Sequence, residues 1–143
     1  MEMALEEAQA AADRDEVPVG AVLVRDGEVL ARNGNRTLEL HDPSAHAELM
    51  VIRDACSKLE SQRLPDCDLY VTLEPCAMCA AAISFARIRR VYFAAEDEKG
   101  GAVLNGGRFF SQPTCHHAPD VYSGLSEDTA SELLRNFFRK KRG

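Results

Sequence analysis

The sequence lacks the features of a membrane or secreted protein. Its longest uninterrupted apolar run, Cys76 to Ile83, is far shorter than the roughly 18 residues that a membrane-spanning helix needs. The acidic start, Met1-Glu2, has no positively charged segment of the kind that opens a secretory signal. We therefore expect a cytoplasmic protein with no membrane partner.

Internal repeats, low-complexity segments and strong compositional bias are also missing. Of the 143 residues, 45% are hydrophobic and 28% are charged, which excludes a disordered or fibrous chain. At roughly 150 residues per domain, this length predicts a single domain over residues 1–143. The five cysteines cannot all pair, and without an export signal they are better interpreted as free thiols or metal ligands than as a disulfide framework.

An overall excess of positive charge is absent as well. The 17 basic and 23 acidic residues give a net charge of −6, which argues against non-specific nucleic-acid binding over the whole surface. The distribution is uneven, however. Between Ser131 and Gly143, five basic residues and one acidic residue give a local charge of +4, so the rest of the chain carries −10.

Local sequence patterns predict alternating strands and helices. Strands are predicted at 17–24, 28–32, 68–74 and 91–95, with a tight Asp26-Gly27 turn between the first two. Helices are predicted at 1–13, 45–59, 75–87 and from 126 onward, whereas 96–120 shows no clear pattern. This order predicts an α/β fold in which helices cover a small, central mixed sheet.

Two short motifs at predicted helix starts contain candidate metal ligands. One is His46-Ala47-Glu48 and the other is Pro75-Cys76-Ala77-Met78-Cys79. Cysteines at positions i and i+3 lie on the same side of a helix, and the helix N-terminus favours their thiolate forms. Because two sulfurs and one imidazole suit zinc, we expect one Zn²⁺ per chain, held by His46, Cys76 and Cys79.

Glu48 is the candidate catalytic acid and base. Three protein ligands leave the fourth zinc position to water, whose pKa the metal can lower to about 7. Glu48 lies two residues from His46, near enough to take a proton from that water. The alternative is a closed structural zinc site, completed by Cys115, His116 or His117.

His-x-Glu followed by Pro-Cys-x-x-Cys is a signature of zinc-dependent nucleobase and nucleoside deaminases. Together with these motifs, Val17-Pro18-Val19-Gly20-Ala21, Asn35-Arg36 and Phe137-Phe138-Arg139 resemble the bacterial tRNA-specific adenosine deaminases over nearly the whole chain. The resemblance implies a three-layer, cytidine-deaminase-like fold and a homodimer. It also implies that zinc-bound hydroxide, with Glu48 as proton shuttle, converts adenosine to inosine at the wobble position of a tRNA anticodon stem-loop.

The same resemblance assigns substrate-binding positions. It implies that Asn35 hydrogen-bonds the purine and that Ala47 contributes a backbone N–H. The base would then stack between His46 and Val17. Contacts with neighbouring nucleotides are implied for Asp97, His117, Phe138 and Arg139.

Two other functions are compatible with the motifs. A free-base deaminase, such as one acting on guanine, would use the same zinc site but would need no basic, aromatic C-terminal helix. A non-catalytic, zinc-stabilised RNA-binding module would need a closed site with four protein ligands. The terminal cations could also complement the helix dipole, with Phe137 and Phe138 as packing residues.

Overall fold

The computed structural model describes residues 1–142, and Gly143, the last residue of the predicted single domain, lies outside this range. The strands are β1 (Gly20–Arg25), β2 (Glu28–Gly34), β3 (Cys67–Leu73), β4 (Arg90–Ala95) and β5 (Asp120–Ser123). The helices are α1 (Glu2–Asp13), α2 (Ala47–Leu59), α3 (Ala77–Phe85) and α4 (Glu127–Arg142), with a 3₁₀ turn at Phe109–Ser111. The strands form one mixed sheet in the order β2-β1-β3-β4-β5. Strand β1 is antiparallel to β2 and β3, whereas β3, β4 and β5 are parallel.

The hairpin between β1 and β2 follows from its two turn residues. Asp26 and Gly27 both have positive φ angles, 50° and 78°, as a type I′ turn requires. The predicted hairpin is therefore confirmed, but its first strand begins at Gly20 and not at Val17. Pro18 has no N–H for the ladder, and the Val19 N–H is used by the Val17 carbonyl 2.8 Å away.

Small residues let α1 and α4 lie close against one face of the sheet. Three alanines of α1 have no exposed surface: Ala4, Ala8 and Ala11. A Cβ atom at Gly20 of β1 would collide with the Ala4 carbonyl oxygen, so only glycine fits at this crossing. Ala130 of α4 packs near Ala94 of β4 on the same face.

The main core lies between the opposite face of the sheet and helices α2 and α3. Leu69, Val91 and Phe93 of the sheet are fully buried there with Val51 of α2 and Ile83 of α3. The protein therefore has three layers, helices, sheet and helices, and the predicted α/β fold is confirmed. Within residues 1–142, no helix is long and apolar enough to cross a membrane.

Two helices begin later than the sequence predicts. Helix α2 starts at Ala47 with His46 as its N-cap, and α3 starts at Ala77 with Cys76 as its N-cap. The reason is that His46 and Cys76 both have extended backbone, with ψ angles of 154° and 176°. Both side chains consequently stand at helix boundaries, where backbone N–H groups have no partner within the helix.

Strand β5 starts at Asp120, the last residue of the segment without a clear pattern, and no strand was predicted at its other three residues. Its residues pair with β4 at the edge of the sheet and are mostly exposed. An exposed edge strand needs no alternation of buried and polar residues, so its sequence carries little strand signal.

Candidate active site

Three potential metal-binding atoms converge where α2 and α3 begin. Nδ1 of His46 lies 3.6 Å from Sγ of Cys76 and 3.6 Å from Sγ of Cys79. We call these three residues the metal cluster. Over residues 1–142, they are the one group of histidine, cysteine and acidic side chains whose donor atoms lie close enough to hold an ion, all within 4.8 Å of one another. The geometry also selects Nδ1 as the donor nitrogen of His46.

The two thiols of the metal cluster have opposite proton affinities. A hydrogen bond from the Cys79 thiol, assisted by His46, lowers the pKa of Cys76 to about 4. The same contact with Cys76, together with burial, raises the pKa of Cys79. The hydrogen bond with Cys76 also raises the pKa of His46. The cluster thus holds a thiolate at neutral pH, the form that binds metals.

Glu48 lies in the first turn of α2 and faces the same cavity as His46 and Cys76. Its side chain is almost fully buried, with 4% exposure. Burial raises the pKa of Glu48 to about 7. A carboxyl group with this pKa can both hold and release a proton near neutral pH, as a general acid and base must.

A cavity of about 320 Å³, which we call the pocket, opens beside the metal cluster. This volume lies at the lower end of the range for small-molecule sites. The predicted residues Val17, Asn35 and Asp97 line it. The walls also include residues that the sequence analysis had not assigned to a site: Val19, Thr37, Leu73, Glu74 and Gly100.

Asn35 connects the pocket wall to the start of α2. Its Oδ1 accepts a hydrogen bond from the Ala47 N–H at 2.9 Å, and its Nδ2 donates to the Val17 carbonyl at 3.2 Å. The Arg14 guanidinium donates to the Asn35 carbonyl at 3.1 Å. The structure therefore brings together Val17, Asn35 and Ala47. Because the Ala47 N–H is already bonded to Asn35, a contact from it to a purine would have to share or replace that bond.

Asp97 and Phe138 line a groove of about 440 Å³ that shares residues with the pocket and borders α4. Asp97 also holds its own loop, because its Oδ1 accepts hydrogen bonds from the Lys99 N–H at 3.1 Å and the Gly100 N–H at 2.9 Å. Phe138 is 44% exposed. Arg139 is exposed on the same helix, next to Phe138.

The segment from Cys115 to His117 lies outside the metal cluster. Nε2 of His117 donates to the Ile88 carbonyl at 2.9 Å. The His117 carbonyl accepts hydrogen bonds from the Ser84 hydroxyl at 2.7 Å and the Cys115 thiol at 3.1 Å. These contacts fasten the segment to the end of α3. His117 lines neither the pocket nor the groove, and the cluster gains no fourth protein ligand from this segment.

Two buried carboxylates, neither of them predicted from the sequence, hold loops beside the pocket. Glu16 is 1% exposed and accepts hydrogen bonds from the Leu38 N–H at 3.1 Å and the Glu39 N–H at 2.9 Å. Burial alone would raise the pKa of Glu74, but hydrogen bonds from the Asp97 N–H and from Asn105 hold it below its ordinary value. The available signal was weak: Glu74 is a charged residue directly before the Pro-Cys motif at the end of an apolar strand.

Comparison with known proteins agrees with this geometry. The family model for MafB19-like deaminases matches residues 1–142. A tRNA-specific adenosine deaminase of Agrobacterium fabrum (strain C58) is 70% identical over 142 residues, which cover 99% of this chain and 93% of the relative.

Among solved structures, one tRNA deaminase is much more similar to this chain than a guanine deaminase is. One comes from a study of A-to-I editing by tRNA:A34 deaminases at the wobble position of transfer RNA. It has a TM-score of 0.93 and 70% identity, covering 94% of this chain and 97% of the other. Guanine deaminase from Bacillus subtilis has a TM-score of 0.65 and 32% identity, covering 99% and 91% of the two chains. The chain thus belongs to the family of MafB19-like deaminases and, among the deaminases, to the tRNA-specific adenosine deaminases.

Proposed function

We propose that this protein hydrolyses adenosine to inosine and ammonia at the wobble position of a tRNA anticodon stem-loop. The observation that carries this proposal is the metal cluster with the buried Glu48 in the same pocket. The 70% identity to a tRNA-specific adenosine deaminase supports the choice of substrate.

Zinc is the metal that we propose for the cluster. Tetrahedral bonds of about 2.3 Å to sulfur and about 2.05 Å to nitrogen would separate the two donor atoms by about 3.6 Å. His46 Nδ1 lies 3.6 Å from each sulfur, so the residues fit. Two sulfurs and an imidazole also favour zinc over magnesium or calcium. When bound, zinc lowers the pKa of a water ligand to about 7 and so supplies a nucleophile at neutral pH.

Glu48 is the residue that we propose to move protons. Deamination requires both protons of the attacking water to move, one to the purine ring nitrogen and one to the departing amine. A single carboxyl group in the pocket can take up each proton and pass it on if its pKa lies near the working pH. Its pKa of about 7 meets that condition.

Pocket residues would orient the base. The second N–H of the Asn35 amide is not used by Val17, so it is available for a purine acceptor. Val17 and His46 line the pocket and would enclose the base between them. The Ala47 N–H would donate a hydrogen bond to the base while it also donates to Asn35 Oδ1. Such fixed contacts hold the reacting carbon in position.

Helix α4 and the groove beside it would bind the flanking nucleotides. Asp97 and Phe138 line the groove, Arg139 is exposed beside them, and we retain His117 as a more distant RNA contact. Lys141 forms an ion pair with Asp15 at 2.8 Å. Four other exposed cations of α4 form no ion pair with the residues that the structure describes: Arg135, Arg139, Lys140 and Arg142. They are suited to contact phosphates.

The remaining parts of the proposal concern the whole protein. We propose one deaminase domain over residues 1–143 and one Zn²⁺ per chain. We also propose a cytoplasmic location, which a tRNA substrate supports. We also propose a homodimer, supported by the apolar side chains that α3 leaves exposed, Met78 at 37% and Phe85 at 70%.

Product analysis tests this function. Zinc-loaded protein would be incubated with an anticodon hairpin carrying adenosine at the wobble position, with free adenosine and with free guanine. We expect inosine in the hairpin and little turnover of the free compounds. Preferred production of xanthine from guanine would instead support a free-base deaminase, and absence of every product would support a non-catalytic module.

Salt dependence tests the RNA-binding role of α4. If four cations neutralise phosphates, the slope of log affinity against log salt approaches about −2.8. Arg139→Ala should make the slope shallower by about 0.7. Lys58→Ala is the matched control, because Lys58 is an exposed cation at the end of α2 opposite His46. Equal slopes for the two variants would contradict the role of Arg139.

A further inference from the structure

Glu74 occupies an unusual position directly before the Pro75-Cys76 segment. Its side chain is a carboxyl group, yet it is only 2% exposed. Oε1 accepts hydrogen bonds from the Asp97 N–H at 3.0 Å and from Nδ2 of Asn105 at 2.7 Å. Oε2 accepts three more, from the N–H groups of Val103 at 3.0 Å, Leu104 at 2.9 Å and Asn105 at 3.1 Å.

All five donors belong to one stretch, residues 97–105, which we call the pocket loop. The loop contacts the metal-ligand segment a second time, because the Ala102 N–H donates to the Pro75 carbonyl at 2.9 Å. Gly101 packs directly on the Glu74 carboxylate, and a Cβ atom there would collide with Glu74 Cδ. The pocket loop is therefore folded around this one side chain.

The pocket loop in turn forms part of the pocket wall. Asp97 and Gly100 line the pocket together with Glu74 itself. Cys76 of the metal cluster follows Glu74 by two residues. One buried carboxylate thus joins the segment that holds a metal ligand to the wall that faces the substrate.

We propose that Glu74 is a positioning residue that fixes the pocket loop and thereby the fit of the base, a role that rests on the proposed function. A carboxylate suits this role because it offers only acceptors to donors that converge from the loop. An amide of the same size would turn an NH₂ group toward one set of those N–H donors. Glu74→Gln therefore breaks the arrangement while preserving side-chain volume.

Hydrogen exchange on the metal-loaded protein without RNA gives the first readout. In Glu74→Gln we expect amides in the peptide covering residues 97–105 to exchange at least about 10-fold faster than in the parent. Metal content should stay equal to that of the parent. Glu98→Gln is the matched control, since Glu98 lies in the same loop, is exposed and lines neither the pocket nor the groove. Glu98→Gln removes the same charge as Glu74→Gln and should leave hydrogen exchange of residues 97–105 unchanged.

Steady-state kinetics give the second readout. For the anticodon hairpin, Glu74→Gln should raise KM by roughly 10-fold and change kcat by less, because the wall is misplaced while the metal cluster and Glu48 remain. Glu98→Gln should match the parent. If the parent itself does not deaminate the hairpin, the proposed function fails, whereas the exchange measurement still decides whether Glu74 fixes the loop.

Two milder variants keep the proposal testable if Glu74→Gln does not fold. Asn105→Ala removes only one side-chain donor and should give a smaller increase in both loop exchange and KM. Glu74→Asp keeps the charge and should restore part of the parent behaviour. The proposal is overturned if the variants lower the melting temperature but leave KM and loop exchange unchanged, or if they lose metal, which would mean that Glu74 acts through Cys76.

Discussion

Glu48 and Glu74 line the same pocket, but their pKa values are shifted in opposite directions. Both line the pocket, and their exposures are only 4% and 2%. Burial raises the pKa of Glu48 to about 7. Burial also opposes the charge of Glu74, but hydrogen bonds led by that from the Asp97 N–H hold its pKa below the ordinary value.

The difference lies in the local hydrogen-bond donors. Glu74 accepts bonds from four backbone N–H groups and one amide, which stabilise its charged form. For Glu48, the loss of solvation outweighs the favourable neighbours, so it can hold a proton at neutral pH. Two carboxyl groups with little exposed surface thus have different roles, a structural anion at Glu74 and a proton carrier at Glu48.

Removing the metal should give the largest difference between the function that depends on Glu48 and the loop structure that depends on Glu74. A chelator should abolish deamination, because the nucleophile is lost. Hydrogen exchange in the pocket loop should stay at the parent rate, since the hydrogen bonds that hold the loop are donated to Glu74 and not to a metal ligand. Zinc should restore activity and magnesium should not. Faster exchange of the pocket loop after chelation would show that the two carboxylates are not independent.

Glu48→Ala should have the next largest effect. Proton transfer by a positioned side chain contributes about 10²–10⁴-fold to a rate. We therefore expect kcat to fall by at least about 10²-fold. Metal content and pocket-loop exchange should remain those of the parent. Glu74→Gln is the reciprocal variant, with a larger effect on KM than on kcat. Similar kinetic changes in the two variants would contradict the division of roles.

The candidate site was predictable where its signal is local. His46, Cys76 and Cys79 stand at helix starts with a recognisable spacing, and Glu48 follows His46 by two positions. The structure brings all four to the pocket region. The α/β order was also predictable, because strands β1 to β4 have apolar or β-branched patterns and the hairpin has a characteristic turn.

The loop anchors could not be predicted from the same sequence. Glu74 contacts N–H groups 23 to 31 residues away, and Glu16 contacts N–H groups 22 and 23 residues away. Every residue except proline has a backbone N–H, so such partners leave no residue-type signal. His117 shows the same limit: the resemblance implies an RNA contact, and nothing in the sequence indicates that its ring also donates to the Ile88 carbonyl.

Glu16 offers a second case in which backbone N–H donors bond a buried carboxylate, and a variant at this position tests whether such a carboxylate stabilises the fold. Glu16→Gln would place an amide N–H against the Leu38 or Glu39 N–H. We expect the free energy of unfolding to fall by about 1–3 kcal/mol, as for other buried charged hydrogen bonds, with metal content retained. Glu28→Gln, at an exposed position of β2, should change it by less than about 0.5 kcal/mol. Urea titration measures both, and equal values would contradict the expectation.

The smallest expected effect concerns the one side-chain donor to Glu16. The Thr37 hydroxyl lies 3.3 Å from Glu16 Oε1, farther than the Leu38 and Glu39 N–H groups lie from the carboxylate. Thr37→Val should therefore reduce the free energy of unfolding by less than about 1 kcal/mol. A double-mutant cycle with Glu16→Gln isolates the contribution of this contact. A coupling energy as large as the whole effect of Glu16→Gln would mean that the hydroxyl, and not the backbone, holds this carboxylate, and the explanation drawn from Glu74 would not extend to Glu16.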